Sequence, residues 1–336
     1  MTLLSRLGLG GLLIAAALAL AGPVAAQTKV IISNDNNALG LKGKTFEYLK
    51  TQIEKELGDK VAVELHHSGA LFNQKTQVQG LQLGSVHIIS PTAGIYSPIA
   101  PKVNALLLPF LLSTPKAIDV AMKDPLIHKE IISELEAKDI KPVAIWINGG
   151  RHIGYRGNKA VRVPEDMKGI KIRVQSADIF VETMKAFDAN VIAMSWGEVP
   201  TALQQGVIDA AEPTPNAWVG SKIYELVDQI TVNGYVYSFY IVTANKTWWE
   251  GLPEDVRAGL ERAFASATDW NWENGARINN ESWDKIRAAG KTVVEIGPEE
   301  QAKWIEAVRP VWKKLGNDLV GDAVMARLEE IGAANR

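Results

Sequence analysis

An α/β fold of two lobes is predicted by three observations. Short β-branched runs alternate with amphipathic helical patterns along most of the 336 residues, an order that builds helix-covered sheets rather than a bundle or a sandwich. About 310 residues follow an apolar leader, more than one hydrophobic core readily organises. A helical pattern from Glu254 to Arg287 is about three times the usual helix length and can reach from one lobe to the other.

The leader comes first. Residues 1–26 carry Arg6, an apolar run from Leu7 to Ala21 and Val24-Ala25-Ala26 ahead of Gln27, the layout of a signal peptide cleaved after Ala26. The run is shorter than the ~20 residues of a membrane span, and no second one of that length follows. An exported protein, free in a periplasm, is expected. The chain has no cysteine, which excludes a lipid-attachment thiol, a disulfide framework and thiol chemistry.

Lys29–Ser33 reads as a strand, Asn34–Asn37 as a polar turn, and Leu41–Leu57 as a helix with Phe46, Leu49 and Ile53 on one face. Val61–Leu65 alternates as a strand, Gln74–Leu83 is helical and Val86–Ser90 is again a strand. This β-α-β-α-β order favours a mainly parallel sheet. A helix from about Lys116 to Ala137 leads to the strand Lys141–Trp146, and the first lobe should end near Gly149-Gly150.

The second lobe repeats the logic. Ile170–Val174 is a strand, Ala177–Phe187 a helix, Asn190–Ala193 a strand, Glu198–Gln205 a helix and Val207–Ala210 a strand. Residues 231–243 form a β-rich stretch able to cross back to the first lobe. After the long helix, the strand Lys291–Glu295 and the amphipathic helix Glu299–Leu315, kinked by Pro310, complete the second lobe. Lobe I then takes 27–148 with about 237–278, and lobe II 149–236 with about 279–336.

The formal net charge of −2 points to neither nucleic acid nor an anionic membrane as partner. Most of the ten tryptophans are expected in the core. His66 and His67 point to opposite faces of a strand, His87 and His128 stand alone, and no HxxxH or HExxH spacing exists, so no metal is expected. Gly43-Lys44-Thr45 lacks the first glycine of a phosphate loop, Ala38 standing in its place. No GxSxG elbow is present. No cofactor and no enzymatic activity are expected.

Arg173 stands at the end of a strand between Ile172 and Val174, where a rigid backbone can aim its guanidinium at a carboxylate. Arg151 follows Asn148-Gly149-Gly150 at the lobe junction, and Trp196 precedes a helix start, where its flat face suits a small organic acid. Asn34, Asn37, Thr92, Tyr235 and Tyr237 lie at or near strand ends that can face the cleft; turn chemistry and sheet packing account for them equally well. His152 would titrate near neutral pH and tune affinity, or stand by.

The stretch Gly169–Pro215, GIKIRVQSADIF…MSWGEVPTALQQGVIDAAEPTP, closely resembles the signature region of DctP-type solute-binding proteins, the extracytoplasmic subunits of TRAP transporters. Ile32–Phe46, the Ser68-Gly69 to Leu71 turn, Gly84–Ile89, Leu108-Pro109-Phe110, Asn148–Arg151 and Trp248–Pro253 fall in order with it. The resemblance implies a two-lobed periplasmic binding protein fold, with a mixed sheet flanked by helices in each lobe and a long lobe-spanning helix. It also implies a monomer that captures a small organic anion and delivers it to membrane permease subunits. Arg173 takes the place of the family's principal carboxylate-binding arginine, Arg151 that of an auxiliary one, and Trp196 that of an aromatic covering the ligand. Glu212 matches the family's glutamate, but Pro213 replaces the asparagine that commonly contacts ligand. Asn216 either supplies the lost amide or caps a helix, and Glu212 alone does not indicate a metal. Two alternatives stand beside this reading: a binding protein feeding a membrane sensor kinase, and a periplasmic lyase or hydrolase with a general base near Arg173.

Overall fold

Two mixed sheets face each other across a cleft in the computed structural model, which describes residues 27–336; the expected signal peptide, 1–26, lies outside the described residues. The strands in chain order are β1 (Thr28–Ser33), β2 (Val61–His66), β3 (Ile88–Ile89), β4 (Ile140–Gly150), β5 (Ile153–Tyr155), β6 (Lys171–Val174), β7 (Asn190–Ala193), β8 (Ala210–Ala211), β9 (Gln229–Val232), β10 (Tyr237–Asn245) and β11 (Thr292–Glu295). The helices include α1 (Leu41–Leu57), α2 (Gln77–Gln82), α3 (Pro115–Lys123), α4 (Asp178–Ala186), α5 (Pro215–Gly220), α6 (Glu254–Ala288) and α7 (Asp322–Ala334).

The first sheet runs β2-β1-β3-β10-β4 and the second β11-β9-β5-β8-β6-β7. In the first, β1 is parallel to β2 and β3, as the β-α-β-α-β order predicts, but β10 inserts antiparallel between β3 and β4 and makes the sheet mixed. In the second, β6 is parallel to β7 and β8, while β5 is antiparallel to β8 and β9.

The chain crosses between sheets where β4 passes into β5 through Arg151-His152, and again where β9 passes into β10 through Asn233–Val236. The stretch expected as one β-rich run is therefore two strands. Gly234, at φ 54°, supplies a left-handed turn that a β-branched residue would resist. The two crossings are bonded to one another, Arg151 N donating to Val236 O at 2.8 Å and Gly234 N to His152 Nδ1 at 3.2 Å.

Helix α6 ties the sheets together. It packs on α1 and β4 as far as Gly275 and reaches α5 of the other side at Asn279. Close approach depends on glycine: a Cβ on Gly275 would lie 2.5 Å from Ile147 Cδ1, and one on Gly259 would lie 2.3 Å from Leu57 Cδ2. The buried stripe of α1, including Phe46, Leu49 and Ile53, follows the apolar spacing read from the sequence.

Several boundaries differ from expectation for local reasons. The helix expected over 116–137 breaks at Asp124-Pro125, because Pro125 cannot donate and Asp124 Oδ1 caps the next turn through Leu126 N and Ile127 N. Pro142 sits on β4, an edge strand, beside a register shift opposite Val242 and Thr243, where its missing donor costs little. The helix carrying Pro310 is interrupted at Val308 as expected. Strand β5 and the terminal helix α7, which packs against α3, have no counterpart in the sequence reading.

Candidate functional site

Candidate side chains gather beyond the carboxyl ends of the parallel strands, the usual location of ligand sites in open α/β sheets. From the first sheet come Asp35 after β1 and Thr92 after β3, joined by Lys42 in the first turn of α1 and by Gln74 ahead of α2. From the second come Arg173 and Gln175 at the end of β6, Trp196 after β7, and the Pro213-Thr214 turn after β8. Asn148 enters from the end of β4 and Arg151 from the crossing. All line one cavity of about 30 Å³, room for little more than a water molecule.

Arg173 is 1% exposed. Its Nε and Nη2 donate to Met194 O at 3.0 and 2.7 Å, and Nη2 also donates to Gln74 Oε1 at 3.0 Å. Its guanidinium lies 5.4 Å from the centre of the Trp196 ring. Every acceptor it meets among the described residues is a neutral oxygen. Burial lowers its pKa to about 10, although Glu212 pulls the other way, so at neutral pH it is a buried cation without a carboxylate in hydrogen-bond contact. Such a group is costly unless an anion arrives.

Arg151 is different. Its Nη2 donates to Glu212 Oε1 at 2.5 Å and its Nε to Glu212 Oε2, which also accepts from the Tyr235 hydroxyl. The guanidinium stacks 4.5 Å from the Phe180 ring centre. Burial by itself would lower the Arg151 pKa, but the charge and hydrogen bonds of Glu212 outweigh it and hold the group above its ordinary value. Burial, reinforced by the Glu212 charge, likewise raises Tyr235 well above the usual phenol range. Two of the three Arg151 nitrogens are thus engaged within the protein.

A second buried ion pair was not foreseen. Lys42 Nζ meets Asp35 Oδ1 at 2.5 Å, donates to Ser90 O at 3.2 Å and lies 4.7 Å from the Tyr240 ring centre. Burial lowers the Lys42 pKa against the opposing pull of Asp35. The Gln74 carboxamide connects the two systems: its Oε1 accepts from Arg173 and its Nε2 donates to Asp35 Oδ2 at 3.4 Å. Thr92 also reaches across the cleft, donating to Gln175 Oε1 at 2.8 Å. The Nε2 of that buried glutamine has no partner.

Of the residues expected in the site, Arg173, Arg151, Trp196 and Thr92 line the cavity, and Glu212 and Tyr235 stand behind Arg151. Asn216, Asn34, Asn37 and Tyr237 are not among the lining residues. Asn216 Nδ2 is committed to Asn148 O and Oδ1, Thr214 Oγ1 and Asn279 Oδ1 in a network at the crossing. Asn34 bonds His67, and Asn37 reaches Gly220 O at 2.9 Å. Tyr237 is partly buried on β10. His152 is not a neutral-pH sensor, since burial drops its pKa to about 3.

Asp35, Lys42, Gln74 and Gln175 were missed. Two signals existed: Lys42 stands at apolar-face spacing from Phe46 and Leu49 on α1, and Gln175 follows Arg173 by two, the same-face period of a strand. Larger grooves lie elsewhere, one of about 240 Å³ beside α2 and one of about 450 Å³ between β4 and α6. Neither is lined by a buried arginine. Among the described residues no group of three or more histidine, aspartate or glutamate side chains is placed to hold a metal ion.

The family model for bacterial extracellular solute-binding protein, family 7, matches residues 32–318. The C4-dicarboxylate-binding periplasmic protein DctP of Rhodobacter capsulatus is 31% identical over 329 residues, spanning 96% of this chain and 98% of that protein. A TRAP periplasmic solute-binding protein of Shewanella oneidensis with bound succinate superposes with a TM-score of 0.87 at 23% identity, over 91% of this chain and 100% of that one. The sugar acid binding protein DctPAm of Advenella mimigardefordensis, in complex with galactonate, gives 0.86 at 23% identity, over 92% and 99%.

Proposed function

Since the chain belongs to the bacterial extracellular solute-binding protein family 7, we propose that it captures a small organic carboxylate between its two sheets and delivers it to the membrane permease of a TRAP transporter. The observation that carries this reading is Arg173, a buried guanidinium whose bonds all go to neutral oxygens.

An incoming carboxylate takes the place of Gln74 on the Arg173 fork, exchanging a neutral acceptor for a charge-assisted one. Bonds to charged groups contribute about 1.5–3 kcal/mol each. Arg151 is held by Glu212 and Tyr235, so it adds positive potential from a fixed position and offers its remaining nitrogen. Trp196 forms a wall under the Arg173 guanidinium. A cavity of about 30 Å³ does not admit an organic acid, so the sheets part before the ligand enters. The crossings at Arg151-His152 and Asn233–Val236 are where that rotation is absorbed, and re-closure excludes water and strengthens the arginine contacts. The binding step needs no bond made or broken.

The receptor works outside the cytoplasm, after removal of residues 1–26. Thermal-shift screening of the mature chain against an organic-acid library, followed by calorimetry, tests the reading, because a tight ligand raises the melting temperature by mass action. Failure of every carboxylate to bind, or recovery of the bound acid chemically altered, overturns it.

A further inference from the structure

Resting on the carboxylate-receptor reading, we infer that the preferred ligand carries one negative charge and a hydroxylated body, and that this protein selects hydroxy-monocarboxylates over dicarboxylates. The inference comes from a count of the buried charges and from the polar atoms left over.

Three cations, Arg151, Arg173 and Lys42, and two carboxylates, Asp35 and Glu212, meet at or directly behind the cavity, all buried. Each carboxylate is already saturated: Glu212 accepts from Arg151 and Tyr235, and Asp35 from Lys42 and Gln74. One positive charge remains, on Arg173. A single ligand carboxylate neutralises the closed site. A second one leaves it with an excess negative charge, and recruiting Lys42 does not help, because Asp35 is then the unpaired anion. The sum is the same whichever cation is shared, and an uncompensated buried charge opposes closure.

The rest of the wall is neutral and polar. Gln175 Nε2 is buried without an acceptor, while Thr92, having given its proton to Gln175 Oε1, presents lone pairs. Donor and acceptor side by side match a hydroxyl, which does both. An alkyl chain in the same place leaves the Gln175 amide unmet in a dry cleft.

Calorimetry on the mature wild-type protein with matched acids separates charge from hydroxylation. At four carbons the probes are butanoate, threonate, succinate and tartrate, each chiral acid as both enantiomers; at six they are hexanoate, gluconate, adipate and glucarate. In at least one length series the hydroxylated monoacid should bind about tenfold or more tighter than both its dicarboxylate and its unsubstituted counterpart. A dicarboxylate binding as tightly as the hydroxylated monoacid of its length overturns the charge count and leaves the receptor reading standing. An unsubstituted monoacid binding as tightly overturns the hydroxyl assignment. No binding by any of the eight overturns this inference, while the receptor reading is decided by the wider organic-acid screen. Asp35→Asn adds one net positive charge and should move the dicarboxylate-to-monoacid affinity ratio about tenfold or more toward the dicarboxylate; an unchanged ratio in the folded variant overturns the count, and if the variant does not fold the wild-type series decides.

Discussion

Arg173 Nη2 donates to Gln74 Oε1 at 3.0 Å, and this bond links the end of a second-sheet strand to the first-sheet side of the cleft. The same carboxamide donates to Asp35, so its orientation is set at both ends, oxygen toward the cation and nitrogen toward the carboxylate. Gln74→Glu places a carboxylate where the ligand's own is expected. Calorimetry should show affinity reduced by about a hundredfold or more, since an intramolecular anion competes at high effective concentration; retained affinity would contradict a role for Arg173 as anchor.

Arg173→Met removes the charge and keeps much of the volume. Loss of a charge-assisted, bidentate contact should weaken binding by about a hundredfold, near 2.7 kcal/mol. The melting temperature should hold or rise, because the buried cation it removes has no carboxylate partner. A large fall in melting temperature would mark Arg173 as a scaffold residue instead.

Glu212→Leu leaves Arg151 buried without its carboxylate and should cost about 3–5 kcal/mol in urea unfolding. The double variant Arg151→Met with Glu212→Leu should cost clearly less than the two single losses added together, because a buried pair replaced as a unit strands no charge. Additive losses would show that the two side chains are not coupled.

His152 is neutral and buried in the fold, with its pKa down at about 3, but titrates at its ordinary value of 6.5 once unfolded. Between those values the unfolded chain binds the extra proton, so stability rises with pH across this window and falls on acidification. His152→Gln should lose less melting temperature than wild type between pH 6.5 and pH 4. Parallel curves for the two proteins would show that another group governs the acid limb.

Ligand affinity should be flat from pH 6 to pH 9, because burial lowers the Arg173 pKa only to about 10 and a guanidinium keeps its proton throughout that range. Calorimetry across pH 6–9 checks this. A binding step near pH 6.5 would require a titrating histidine at the site.

What the sequence by itself determined is what depends on local periodicity and on short motifs. Helix α1, strands β1, β2, β6 and β7 and the long helix α6 follow from spacing alone, because a buried stripe or an alternating face must repeat along the element that forms it. Arg173, Arg151 and Trp196 were legible because each sits at the end of such an element, inside a segment with a family likeness. Only the tertiary structure decided how the buried charges pair. That Arg151 belongs to Glu212 and Tyr235 and that Arg173 meets Gln74 are contacts between residues distant in the chain, and even the pairing of Lys42 with Asp35, near neighbours in sequence, depends on how α1 packs after β1 and on their shared burial. A lysine or an aspartate reads alike in a sequence whether it faces water or a cleft, and its charge becomes a constraint on the ligand only when burial removes the water that would otherwise screen it.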